Sequence, residues 1–167
     1  MEFDPTYNYA DEDLAVDGNL TRWKFAELIK NLITLSSEAQ RQIEIIGIGE
    51  ACDEMAEDFY TYFTLSYNSY VDNYLLAYKQ LAKLLELDMF FNERSENKSP
   101  NFWDDSLLST NPEWEIVRHK AKEILIILGF QDLAIDIRRE EKYKMTDSGD
   151  KVVSFQSTHL RLQRTLG

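Results

Sequence analysis

The chain has 167 residues, 44% of them hydrophobic and 13% aromatic, which supplies an ordinary apolar core and excludes disorder along most of its length. Its formal net charge of −12 disfavours nonspecific contact with nucleic acid or anionic membranes and favours a basic partner. A lone cysteine, Cys52, rules out an internal disulfide and fits a reducing, cytoplasmic setting.

The sequence reads as one domain over 1–167, with an arm at 1–19, a helical part at 20–130 and a β-hairpin at 131–167. The arm carries six acids and no Lys or Arg, with Pro5 and Gly18 and no helical period. Phe3, Tyr7 and Tyr9 are its docking candidates. The start, Met-Glu-Phe-Asp-Pro, has no basic and apolar leader pattern, so no signal peptide is expected. No apolar run reaches transmembrane length.

A first helix is expected over Thr21–Leu35. Trp23, Leu28, Leu32 and Leu35 form its stripe, widened by Phe25, Ile29 and Ile33. A second helical region spans Ser37–Phe63, broken by Gly47-Ile48-Gly49. Carboxylates directly after the break favour a new helix start near residue 49. One long helix is expected over Tyr67–Asn92, where Tyr67, Tyr70, Tyr74, Tyr78, Leu81 and Leu85 recur at helical spacing and read as core. A polar loop follows over Asn92–Pro100. Asn111 and Pro112 then suit an N-cap and first helical position, and Gly129 suits the end of that helix.

The period then changes to two. Leu133, Ile135 and Ile137 alternate with Ala134, Asp136 and Arg138, and Asp147-Ser148-Gly149-Asp150 is a turn signal before a strand over Lys151–Leu166. Folding about Ser148-Gly149 pairs Met145 with Val152, Ile137 with Leu160 and Ile135 with Leu162, which puts these apolar residues on one face. Arg139, Glu141, Gln156 and Thr158 interrupt that face, so the base of the ribbon should pack and its middle should be wetter. A lone ribbon is marginal, and needs the helices beneath it or a homodimer through the hairpin. The fold class is therefore α+β, mainly α: four or five helices, then a C-terminal antiparallel hairpin.

The candidate site is Glu50-Ala-Cys-Asp-Glu-Met-Ala-Glu-Asp58. On a helix, Glu50, Asp53, Glu54, Glu57 and Asp58 share one stripe, with Cys52, Met55, Ala56 and Phe59 opposite. Three readings stay open: a solvated face, a docking surface for a basic partner, or a Mg²⁺ site. Glu54 and Asp58 fit half of the paired acidic helices of all-α, Mg²⁺-dependent nucleotide pyrophosphohydrolases of the MazG type. The other half is missing around Glu27. His119, one turn after Glu115, reads as a surface residue, and so does His159. Cys52 reads as a buried small hydrophobe, its thiol disfavoured as a nucleophile by the acids around it. Trp103 and Trp114 flank a loop–helix junction and are expected to pin the loop.

Glu54-Met-Ala-Glu-Asp-Phe59, Leu87-Asp-Met89, Asn101-Phe-Trp-Asp-Asp-Ser-Leu-Leu108 and Pro112-Glu-Trp-Glu-Ile-Val-Arg118, leading to Ala121 and Leu125, together resemble a group of small bacterial proteins. That group is similar to immunity-type proteins encoded beside polymorphic toxins. The resemblance covers about residues 50–130, implies a mainly helical bacterial protein and gives no catalytic residues. The expected function is a non-enzymatic cytoplasmic binding protein that occludes a basic partner, such as a toxin, through the acidic stripe. No catalytic residue, metal ligand or cofactor is assigned. The alternatives are the Mg²⁺-dependent hydrolase and a structural or oligomeric role.

Overall fold

The computed structural model describes residues 2–94 and 98–165, with the backbone alone for 154–157. The expected loop at 92–100 therefore lies outside the described residues at 95–97. So do Leu166, the expected end of the second strand, and the side chain of Gln156.

The architecture is α+β and mainly α. Helix α1 (Asp11–Leu14) is a single turn within the N-terminal arm, and α2 (Asn19–Ser36) runs through the middle of the bundle. Leu28, Ile29, Leu32 and Leu35 on α2 are fully buried, and the helix touches α1, α3, α4, α5, α7 and β1. The arm is docked. Phe3 meets Phe25 edge-on at 5.1 Å and Phe130 at 6.0 Å, while Tyr7 stays exposed beside Tyr9.

The break at Gly47 divides the second helical region into α3 (Ala39–Ile46) and α4 (Ala51–Phe59). Gly47 ends α3 at φ 76°, a conformation that side chains with a Cβ resist. After α4 a π-helical turn covers Tyr60–Thr64. It keeps Phe59 and Phe63 both buried, stacked at 5.1 Å.

The continuous helix expected over 67–92 is two helices, α5 (Tyr67–Asp72) and α6 (Tyr78–Asn92). No Gly or Pro marks the break. Tyr74 takes left-handed φ 59°, its N–H donates to Val71 O, and Leu75 N–H donates to Tyr70 O. These are the two bonds of a Schellman closure, with Tyr where Gly is usual. The closure turns the chain so that Leu76 enters the core. It also divides the tyrosine row, which is not uniformly core: Tyr70 is buried and Tyr67 partly so, but Tyr74 is 96% and Tyr78 79% exposed. This break, with α1, raises the helix number above the four or five expected.

Helix α7 (Pro112–Leu128) starts as its sequence dictates, with Asn111 accepting from Glu113 N–H at 2.9 Å, and ends at Gly129. It lies antiparallel to α6. Arg94 meets Glu113 at 3.1 Å at one end, and Gln80 donates to Ile127 O at the other.

Strands β1 (Leu133–Met145) and β2 (Lys151–Arg164) pair antiparallel. At the base the register puts Ile135 opposite Leu162 and Ile137 opposite Leu160. Nearer the turn it differs from expectation: Met145 faces Lys151, not Val152, because the register shifts between Lys142 and Tyr143. Such a bulge puts one extra residue on β2 and turns the following side chains to new neighbours. Gly149 makes the turn at φ 86°. Leu133, Ile135 and Leu162 join the core, whereas Tyr143, Met145, Val152 and Val153 near the tip are exposed. Arg139 ties the ribbon to the bundle by donating to the carbonyls of Glu44 and Ile45 at the end of α3. No helix among the described residues is long and apolar enough to cross a membrane.

Candidate functional site

The site is built on α4. Cys52, Met55 and Phe59 are buried, which turns the acids outward. Asp53, Glu54, Glu57 and Asp58 lie on the helix, with Glu54 and Glu57 exposed and Asp53 and Asp58 half-buried. Glu50 is displaced from the expected stripe. It is the N-cap in extended conformation, φ −91° and ψ 104°, so it precedes the helical face and does not continue it. An N-cap residue cannot hold helical dihedrals, and a spacing argument does not see where the helix begins.

The cap itself comes from elsewhere. Glu50 makes no side-chain cap bond. Instead the Asp105 carboxylate accepts from Ala51 N–H at 2.7 Å and Cys52 N–H at 2.9 Å. Asp105 thus satisfies two of the free donors at the start of α4 from the loop before α7. Asp105→Ala is expected to destabilise the protein by about 1–2 kcal/mol, the usual cost of a lost cap with no replacement acceptor. Urea denaturation checks this, and an unchanged midpoint would show that water replaces the carboxylate.

That loop is held by aromatic stacking, as expected of its tryptophans. Trp114 lies flat on Phe102, with ring centres 4.5 Å apart, and its indole N–H donates to Phe102 O. Trp103 donates to Arg94 O. Its half-buried ring lines a shallow depression with Asp53, Ala56 and Glu57, so an aromatic face borders the acids.

Among the described residues, none of Asp53, Glu54, Glu57 and Asp58 forms an ion pair. The effect shows at Asp58, whose carboxyl is pushed up from 3.8 to about 6 by burial, then by Glu54, Glu27 and Glu57. Glu27 on α2 is the acid that sequence spacing could not place. It stands near Asp58, though Lys30 holds it at 2.7 Å. Among the described residues no three His, Cys, Asp or Glu side chains converge as a metal-holding group.

The raised carboxyl makes stability depend on pH with a definite sign. Below 3.8, folded and unfolded chains both hold the Asp58 proton and the penalty is absent. As pH rises towards about 6, the unfolded chain ionises first and stability falls; above that value the penalty is complete. Asp58→Asn is therefore expected to stabilise the protein at pH 7.5. Solvent screens a part-exposed carboxylate, so the gain is about 1 kcal/mol. It should vanish on acidification below the ordinary carboxyl range, which thermal melts across a pH series will show.

The other singled-out groups lie away from the acidic face. Cys52 is fully buried, and burial followed by a hydrogen bond and the charge of Asp105 pushes its thiol well above the ordinary range. His119 is exposed and 3.3 Å from Glu115. His159 is exposed. Sequence reasoning missed Arg118, which is 6% exposed and bonds to Gln42, Glu115 and the carbonyl of Leu108. Its partners lie up to 76 positions away, so no local pattern could reveal it. No family model matches the chain, and no curated protein or solved structure matches it.

Proposed function

We propose that this chain is a non-enzymatic binding protein of the immunity type, which occludes a basic protein partner with the α4 face. The observation that carries the proposal is the set of carboxylates at Asp53, Glu54, Glu57 and Asp58 without an ion pair among the described residues, with Asp58 pushed up to about 6 by burial and then by the acids around it. At neutral pH an approaching cation relieves the repulsion among these ionised groups, which favours a basic ligand. The Trp103 ring beside Asp53 and Glu57 suits the same ligand, because a Lys or Arg side chain can lie on the ring while its charge meets the carboxylates. The lone buried Cys52 fits a cytoplasmic setting.

The test is co-expression with the product of the adjacent gene, purified through a tag on this chain. A basic partner retained by the wild type and lost from Glu54→Lys/Asp58→Lys is the expected result. Equal retention by both would remove α4 from the interface.

A further inference from the structure

Helix α6 is apolar on two opposite sides. Leu84, Leu87 and Phe91 are buried against the bundle. On the far side Tyr78, Ala82, Leu85 and Met89 recur at steps of four, three and four residues. Those steps confine them to an arc of about 60° on a helix of 3.6 residues per turn. All four are exposed, Tyr78 by 79%, Leu85 by 38% and Met89 by 61%. A contiguous apolar stripe pointing outward marks an interaction surface more often than a solvated one. Tyr74, just before it, is 96% exposed and held at φ 59°, where glycine would be unstrained.

The charges beside the stripe are ordered. Lys79 borders its N-terminal half, Glu86 and Glu93 lie on the same flank towards the end of the helix, and Lys83, further round that flank, pairs with Glu86 of its own chain at 3.6 Å. Within Tyr78–Asn92 two lysines balance Glu86 and Asp88, so α6 is neutral in a chain of net charge −12. A strongly basic or acidic partner finds no complement there. A second α6, running the opposite way, does.

We propose that α6 is the contact between two copies of this chain, laid antiparallel across a twofold axis between Ala82 and Leu85. In that arrangement Tyr78 of one copy meets Met89 of the other, and Lys79 and Lys83 face Glu86 and Glu93. The small Ala82 at the centre lets the helices approach to the usual separation of about 8–10 Å. The contact uses none of the α4 carboxylates.

Sedimentation equilibrium of the full chain, up to about 1 mM, is the test. The wild type is expected to reach a dimer, and Leu85→Glu/Met89→Glu to remain a monomer with an unchanged melting temperature, since both side chains are exposed. Lys83→Glu and Glu86→Lys should each weaken self-association. An equimolar mixture of those two variants should restore it, because each chain then offers the other an opposite charge. A monomeric wild type at every concentration would overturn the proposal. So would a dimer that persists in Leu85→Glu/Met89→Glu, or a mixture that associates no better than its components.

Discussion

Trp114→Ala is expected to cost about 3–5 kcal/mol of folding stability, the range for removing a large aromatic from a closed core. The indole is fully buried, lies at an interplanar angle of 2° on Phe102, and has Phe91 on another side at 6.1 Å. Its removal opens a cavity and also strips the Phe102 carbonyl of its donor. The effect should reach the acidic face, because Phe102 and Asp105 belong to the same short loop and Asp105 caps α4. Trp114→Phe keeps an aromatic ring on Phe102 but loses the donor, and should cost about 1–2 kcal/mol. Urea unfolding followed by circular dichroism measures both. An alanine variant within about 1 kcal/mol of wild type would mean that the loop is not held by this stack.

The parts of the fold visible in the sequence are those set by local chemistry. Asn111-Pro112 and Gly129 frame α7 because capping and backbone preference act within a few residues. Gly47 separates α3 from α4 for the same reason. The alternation of Leu133, Ile135 and Ile137 set the pairing at the base of the ribbon, where burial penalises any slip. Near the tip Met145, Val152 and Val153 are exposed, so burial no longer holds the register and the bulge shifts it. The break at Tyr74 was hidden because the apolar period continues through 67–92 and no breaker residue interrupts it. What ends α5 is a backbone closure that serves Leu76 in the core, a tertiary gain. The site divides the same way. The outward face of α4 follows from spacing, whereas Asp105, Glu27 and Trp103 come to it from distant segments, and no local spacing shows that they meet there.

Glu54→Lys/Asp58→Lys is expected to weaken the proposed complex with a basic partner by about 100-fold or more, since close charge pairs across protein interfaces couple by about 1.5–7 kcal/mol each. Reversal does more than delete a pair, because each new lysine also repels the partner's cations. Folding should survive. A cation at position 58 is attracted by Glu27 and Glu57 but repelled by the cation placed at position 54, and the site is half-buried, so the melting temperature should fall only slightly. A control with the same change in net charge, Glu12→Lys/Asp17→Lys, lies in the exposed arm and should leave affinity within about threefold of wild type. Salt supplies the second readout. Wild-type affinity should fall as ionic strength shortens the screening length from about 10 Å at 0.1 M, and the reversed variant should lose that dependence. Equal losses in the α4 variant and the arm control would mean that the partner senses the overall charge of the chain and not the α4 face. A loss confined to the α4 variant, with its salt dependence gone, would place the partner's cations on that helix.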